Sequence, residues 1–266
     1  MSSAPHTTRK DLPGFAELGR SEPSPIDRYG HARDRARLAG LARFVNRLGG
    51  TELFYWLARL TYRFTIEGEA NIPATGPCLF VCNHESLLTD ALIYVTLVRR
   101  RPGLYVFAWH NLQDERPMYG FMSHYGETGL EERYLRAYKA RALSAGELLR
   151  ARGVLQAGGS IMIAPEGELT WDGQLQYPLT PGAAWLGLRG GATLVPIVTT
   201  GGYDIQPRWQ LRPMRLTGRI ALSIGQPFTL DNPEGPDLTR QTLEKASHRI
   251  WAALDDLRRS LIQGRR

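Results

Sequence analysis

The spacing of apolar residues divides the chain into a lead-in, a pair of helices and a longer region of strands and helices. Residues 1–33 are rich in proline, serine and charge and carry no apolar period, so they are predicted to be poorly ordered. Within residues 34–64, apolar residues first recur at helical spacing, at Leu38, Leu41, Val45 and Leu48. Residues 65–266 are expected to form the main domain.

A second apolar stretch, rich in aromatic side chains, runs from Leu53 to Phe64 after Gly49 and Gly50. Two neighbouring basic, amphipathic helices can lie in a membrane interface, or they can pack on the rest of the protein. We expect a mixture, in which one face contacts the domain and the aromatic rim faces lipid. No apolar run is long enough to span a bilayer, and the start lacks the pattern of a signal peptide. The protein is therefore expected to stay in the cytosol or on a membrane face, and peripheral or monotopic association with the cytoplasmic face is the predicted location.

Short apolar runs alternate with helical patterns throughout the main domain. The runs that predict strands are Cys78–Cys82, Leu104–Trp109, Ser160–Ala164, Thr193–Thr199 and Arg219–Ile224. Helices are predicted over Thr89–Arg99, with Thr89 as N-cap, and over Glu131–Ala157, Thr180–Leu188 and Leu238–Ile262. Strands separated by helices are typical of a largely parallel, helix-covered sheet, so the predicted fold class is α/β.

Composition limits the classes of partner. The net charge of +7 comes almost entirely from arginine, which suits anionic lipid or phosphorylated substrates. No zinc-finger spacing and no aromatic RNA-binding signature accompanies this charge, so we expect no nucleic-acid partner. Cys78 and Cys82 lie in one predicted strand, and we expect both to be reduced core residues rather than a disulfide or a metal site.

A histidine and a carboxylate follow the first of these strands. His84 comes after Cys78–Cys82, and Asp90 lies at the start of the next helix, with Glu85 and Ser86 between them. Binding sites of α/β folds form at the carboxyl ends of strands. There, a histidine can take a proton from a hydroxyl while an acid fixes its tautomer. Transfer of an acyl group from a thioester to an alcohol requires this chemistry, although many such histidines only support the scaffold.

A second strand ends in a turn that carries a carboxylate. Pro165 stops the strand Ser160–Ala164, Gly167 permits a tight turn, and Glu166 is left at the same sheet edge as His84. A plain exit from strand to loop would explain this turn by itself. Two strand ends with matching chemistry favour a site.

The ordered set of motifs resembles the glycerolipid acyltransferases, the family that includes lysophosphatidic acid acyltransferases. The family's Asn-His block with a following Asp corresponds to Asn83, His84 and Asp90, although five residues separate His84 from Asp90 where the family has four. Its Pro-Glu-Gly-Thr-Arg block corresponds to Pro165–Leu169, and its Val-Pro strand to Leu194–Val198. The resemblance covers roughly residues 65–262.

The resemblance implies transfer of a fatty acyl group from acyl-CoA or acyl-ACP to the free hydroxyl of a lysophospholipid such as 1-acyl-glycerol-3-phosphate. His84 would be the general base and Asp90, or Glu85 in its place, the orienting acid. Substrate-binding residues would be Ser86, His110, Arg133, Pro165, Glu166 and Gly167. The reaction implies no metal and no cofactor beyond the acyl donor, and it implies contact with a membrane surface.

One departure bears on the acceptor. The third block ends in Glu168 and Leu169, so it lacks the arginine that the family pattern implies for the acceptor's phosphate. Either another arginine (Arg133, Arg141 or Arg208) takes over, or the acceptor is a lipid alcohol without a phosphate monoester. An inactive lipid-binding protein on the same scaffold is a further alternative. A serine hydrolase and a dinucleotide enzyme are disfavoured, because the Gly-x-Ser-x-Gly and Gly-x-Gly-x-x-Gly motifs are absent.

Overall fold

A computed structural model describes residues 50–109, 134–139, 142–143, 145–208, 215–231 and 238–264. The predicted lead-in 1–33 and the first predicted helix, over residues 34–48, lie outside these residues. The helices are α1 (Gly50–Thr61), α2 (Leu87–Arg100), α3 (Ala145–Gln156), α4 (Pro181–Arg189), α5 (Gly202–Ile205) and α6 (Arg240–Gln263). The strands are β1 (Thr65–Glu67), β2 (Cys78–Cys82), β3 (Leu104–Trp109), β4 (Tyr134–Lys139), β5 (Ala142–Leu143), β6 (Ser160–Ile163), β7 (Thr193–Thr200) and β8 (Ala221–Ile224).

In the described part of the chain the strands form one sheet in the order β1-β8-β7-β2-β6-β3-β4-β5. Neighbouring strands run parallel except in the pairs β4–β5 and β7–β8. The predicted α/β class with a largely parallel, helix-covered sheet is confirmed.

β2 lies inside the sheet with both faces covered. Cys78, Phe80 and Cys82 belong to a core shared with α1 and α2, whereas Leu79 and Val81 belong to a core shared with α3, α4 and α6. All five side chains are fully buried, as expected for a parallel strand with helices on both faces. Both cysteines are free thiols, as predicted.

Helix α2 begins earlier than predicted, and the assignment of Thr89 as N-cap is wrong. Ser86 is the N-cap: its hydroxyl accepts a hydrogen bond from the Thr89 backbone N–H, and the Thr89 hydroxyl accepts one from the Ser86 N–H. This capping box satisfies two N–H groups at the helix start. Thr89 therefore lies in the first turn, and the helix starts two residues before it.

The predicted helix Glu131–Ala157 is wrong at residues 134–139 and 142–143, which are strands, and right over Ala145–Gln156. Residues 134–139 form β4, which pairs parallel with β3, and the helical part among the described residues of this stretch is Ala145–Gln156. Leucine, arginine and alanine favour a helix locally, but the free edge of β3 offers backbone pairing that overrides this weak preference. The helix continues through Gly153. The three-residue strand β1 was not predicted, because it is too short to show a period.

Helix α1 has one buried and one exposed face. Tyr55 and Ala58 are buried in the core shared with α2. Leu53, Trp56, Leu57 and Leu60 face outward and are 52–81% exposed. The expected contact with the domain is therefore present. Across the described residues, every helix is too short or too polar to cross a bilayer.

Candidate active site

The carboxyl ends of β2 and its parallel neighbours β6 and β7 meet at one edge of the sheet. Beyond β2, the Asn83 side chain continues the pairing with β7. Its amide N–H donates to the Thr199 carbonyl at 3.0 Å, and its oxygen accepts from the Thr199 backbone N–H at 2.8 Å. Asn83 is buried. The Asn83 side chain therefore adds two hydrogen bonds to the pairing with β7. These bonds fix the direction in which the chain runs from β2 into His84.

The imidazole of His84 lies against the carboxylate of Asp90. His84 Nδ1 is 3.1 Å from Asp90 Oδ1 and 3.0 Å from Oδ2. Asp90 lies in the first turn of α2, where its own N–H donates to the Ser86 carbonyl. About a quarter of the His84 side chain is exposed, at 24%. The five intervening residues therefore still bring the acid to the histidine, and part of the His84 side chain remains exposed.

Glu85 faces a different part of the protein. Its carboxylate accepts hydrogen bonds from the backbone N–H groups of Gly201 and Gly202, at 3.0 and 3.1 Å, where α5 begins. Burial raises the pKa of Glu85 to about 7, although these N–H donors oppose the shift. Of the two acids considered for orienting His84, Asp90 is the one that contacts the imidazole.

Glu166 holds the backbone of His84 rather than its ring. One carboxylate oxygen accepts from the His84 N–H at 2.7 Å, and the other accepts from the Gln176 N–H at 2.8 Å. The His84 carbonyl accepts from the Thr170 N–H at 2.9 Å. Glu166 is only 1% exposed. Glu166 in this turn and Thr170 just after it therefore hold the backbone N–H and the backbone carbonyl of His84.

The electrostatic surroundings of His84 have opposing effects on its pKa. Burial alone would lower that pKa, because it disfavours the imidazolium. The charge and hydrogen bond of Asp90, together with the charge of Glu166, raise it, and the Arg208 guanidinium lowers it. The net result is a pKa above the ordinary value for histidine. A histidine with these properties can take up a proton near neutral pH.

Three other predicted site residues shape the loops at this edge. Ser86 is fully buried and its hydroxyl caps α2. The Pro165 carbonyl accepts from the N–H and the hydroxyl of Thr180. Gly167 has a positive φ of 78° and donates its N–H to the Ala164 carbonyl, which closes the turn. These groups form the scaffold under His84.

A model of the acyltransferase family matches residues 63–200, just over half of the 266 residues. The chain belongs to the acyltransferase family. The resemblance drawn from the motifs is thereby confirmed. A solved structure of the 1-acyl-sn-glycerophosphate (LPA) acyltransferase PlsC from Thermotoga maritima is similar in fold, with a TM-score of 0.51 and 20% identity, over 88% of this chain and 85% of that one. Comparison with curated proteins gave no match.

The third block of this acyltransferase lies beside an arginine from another segment. Arg208 follows α5 and donates to the Leu169 carbonyl at 2.7 Å and to the Glu168 carboxylate at 2.9 Å. Its guanidinium carbon lies 3.6 Å from the centre of the Trp171 ring. Arg208 was one of three arginines proposed to replace the missing one; Arg133 and Arg141, like His110, lie outside the described residues.

Sequence reasoning missed three contacts that hold the site together. The roles of Asn83 and Glu85 depend on β7 and α5, which lie more than 100 residues away in the chain. Gln206 Oε1 accepts from the Leu88 N–H at the start of α2, and no motif marks it. A polar residue that continues a buried strand, as Asn83 does, was the one available signal. Among the described residues, no group of histidine, cysteine and acidic side chains could hold a metal ion.

Proposed function

We propose that this acyltransferase moves a fatty acyl group from acyl-CoA or acyl-ACP to the free hydroxyl of a lysophospholipid such as 1-acyl-glycerol-3-phosphate. The observation that carries the proposal is the contact of His84 Nδ1 with Asp90 at 3.0 Å. Hydrogen bonding of Nδ1–H to the carboxylate leaves Nε2 as the basic nitrogen. His84 is then the general base and Asp90 the orienting acid, with no metal or cofactor besides the acyl donor.

The reaction requires one proton acceptor and one later proton donor. His84 Nε2 removes the proton of the acceptor hydroxyl while the oxygen attacks the thioester carbonyl. The tetrahedral intermediate collapses, the carbon–sulfur bond breaks, and the imidazolium returns its proton to the leaving thiolate. Asp90 stabilises the imidazolium between these steps. Glu166 holds the backbone of His84, and its charge helps to raise the pKa of the imidazole.

Membrane contact is part of the proposal, because the acceptor is a lipid. Leu53, Trp56, Leu57 and Leu60 form an exposed apolar face on α1. We name these four residues the α1 apolar face. A helix with this face can lie in the lipid interface while its other side stays on the domain. We place the protein on the cytoplasmic face of a membrane, where acyl-CoA and acyl-ACP are made.

A second candidate acceptor is a lipid alcohol without a phosphate monoester. Leu169 stands where the family pattern has an arginine, and Glu168 neutralises part of the charge of Arg208. Incubation with labelled acyl-CoA and a panel of acceptors separates the two candidates. Product with lysophosphatidic acid supports the first, and product only with neutral or zwitterionic lipids selects the second.

Replacement of the base tests the mechanism. His84→Ala is expected to lower kcat by about 10²- to 10⁴-fold, because the hydroxyl loses its proton acceptor. His248→Ala, which removes an exposed histidine on α6, is the matched control and should keep full activity. Circular dichroism and thermal unfolding check that both variants fold. A folded, active His84→Ala protein would refute the mechanism, and a wild type that binds lipid without any transfer would select the inactive lipid-binding alternative.

A further inference from the structure

Arg208 presents a fixed guanidinium at the rim of the His84 site. It donates to the Leu169 carbonyl and to the Glu168 carboxylate, and one face of the guanidinium covers the Trp171 ring. Within the described residues these bonds use two of its five N–H donors. Its side chain is 24% exposed. The guanidinium is therefore oriented by three neighbouring groups, and part of the Arg208 side chain remains exposed.

The segment that carries Arg208 is attached to the catalytic loop at two points. Glu85 accepts hydrogen bonds from Gly201 and Gly202, and Gln206 accepts one from Leu88. Gln206 is 1% exposed, so the second contact is shielded from water. Glu85 and Leu88, which both follow His84 in the chain, therefore help to set the position of Arg208.

Arg208 also lies close to His84 in space. It bonds to Leu169, and the next residue, Thr170, donates its N–H to the His84 carbonyl. Its charge lowers the pKa of His84, which requires proximity. A substrate whose hydroxyl reaches His84 therefore has its polar neighbouring groups within reach of Arg208.

We propose that Arg208 binds a phosphate group of a substrate at the His84 site. This inference rests on the proposed function. Guanidinium suits phosphate because it presents paired, planar donors and stays charged at every physiological pH. The phosphate can belong to the lipid acceptor or to the coenzyme A of the donor, and the chemistry at Arg208 is the same. Glu168 and Trp171 position the guanidinium.

A different arginine shows what a purely structural role looks like. Arg101 is buried, and its guanidinium donates to the Ser160 hydroxyl and to the carbonyls of Pro73 and Gly76. Ser160 begins β6, so Arg101 lies at the opposite edge of the sheet from His84. Its three hydrogen bonds hold the segment that contains Pro73 and Gly76 against the start of β6. Arg208 differs in its exposure and in its place beside the catalytic histidine.

The test compares substrates with and without phosphate. Arg208→Gln is expected to raise KM for the phosphate-bearing substrate about 10- to 100-fold, because a charge-assisted contact is lost, while kcat stays within a few-fold. Lysophosphatidic acid is compared with monoacylglycerol as acceptor. Acyl-CoA is compared with the acyl thioester of N-acetylcysteamine as donor. Arg208→Lys keeps the charge without the paired donors and should recover part of the loss.

Arg249→Gln is the matched control. Arg249 also covers an aromatic ring, Phe228, and faces a carboxylate, Asp231. Phe228 pairs with Leu194 at the start of β7, far from the edge where His84 lies. This variant should leave the KM for lysophosphatidic acid and the KM for acyl-CoA unchanged.

The outcomes separate the proposals. A rise in KM only for lysophosphatidic acid assigns the acceptor phosphate to Arg208, and a rise only for acyl-CoA assigns the donor phosphate; both support the inference. Unchanged KM values, or a fall in kcat that is equal for all four substrates, would overturn it and leave the proposed function in place. A wild type that transfers to no acceptor would overturn the proposed function and this inference together.

Discussion

At the scale of single residues, the arrangement around His84 divides two tasks between two carboxylates. Asp90 contacts the ring, whereas Glu166 holds the backbone of the same residue. Both lie close enough to raise the pKa of the imidazole. A change in either acid therefore alters the proton affinity of His84, but only Asp90 can set its tautomer.

This division predicts the pH dependence of an Asp90 variant. A general base must be neutral, so activity falls as the pH drops through the pKa of His84, which lies above the ordinary histidine value. Asp90→Asn removes the largest raising influence and should move the acidic limb of the kcat/KM profile to lower pH. It should also lower kcat by about 10²- to 10⁴-fold, since the tautomer is no longer fixed.

A pH series from 5 to 9 measures both effects. Glu244→Gln, on an exposed carboxylate of α6 whose side chain is 61% exposed, is the control and should leave the profile unchanged. An acidic limb that moves upward in Asp90→Asn would contradict the account. Full activity in Asp90→Asn together with loss in Glu85→Gln would move the orienting role to Glu85.

The motifs of the sequence predicted which residues meet at this edge, but not how each is used. His84, Asp90 and Glu166 follow from strand ends that share an edge. The cap formed by Ser86 and the backbone contacts of Glu166 depend on loop geometry, which a motif does not specify. Arg208 lies 39 positions after Leu169, and only the fold brings them together.

At the scale of elements, the close contact of α5 with the start of α2 depends on a glycine. A Cβ at Gly202 would lie 2.3 Å from Thr89 Cγ2, 2.8 Å from the Ser86 hydroxyl and 3.1 Å from a Glu85 carboxylate oxygen. All three neighbours are buried. The N-terminal cap of α2 and the Arg208 segment can therefore approach each other only without a side chain at this position.

Gly202→Ala is accordingly expected to lower the free energy of unfolding by about 1–3 kcal/mol, the usual cost of overpacking a core. Gly153→Ala is the matched control: a Cβ there meets nothing within 4 Å, and alanine should stabilise α3 by about 0.5–1 kcal/mol. Urea denaturation measures both. A Gly202→Ala protein as stable as the wild type would show that the two elements separate without cost.

Helices and strands were predictable where the period of the apolar residues and the length of the run indicate the same kind of element. β2, β6 and β7 are apolar runs between turn residues, and α6 is long and periodic, so all four were found. β4 failed because residues 134–139 favour a helix locally and become a strand only by pairing with β3. Whether these residues form a strand or a helix is therefore decided by pairing with β3, about 30 residues earlier in the chain.

At the scale of the whole molecule, one face of α1 packs on the domain and the opposite face is exposed. Tyr55 is buried against the core, and Arg99 of α2 stacks on its ring at 3.7 Å. The opposite side carries the α1 apolar face. The domain therefore fixes the direction in which that face points.

Leu57→Gln/Leu60→Gln is expected to weaken binding to anionic phospholipid vesicles at least about 10-fold, since each buried leucine contributes roughly 1.5–3 kcal/mol. Leu149→Gln, on the helix α3 that covers the other side of the sheet, is the control and should bind as the wild type does. Co-sedimentation measures the binding. Equal binding by all three proteins would remove the α1 apolar face from the proposal.

The burial of β2 between two hydrophobic cores has a consequence for how the enzyme unfolds. Amide protons in such a strand exchange with solvent only when the whole domain opens, whereas exposed loops open far more often. His84 follows this strand directly, and its own amide proton is bonded to the buried Glu166. The proposed catalytic base is therefore attached to one of the last parts of the protein to open, and local opening of the neighbouring loops leaves its position unchanged.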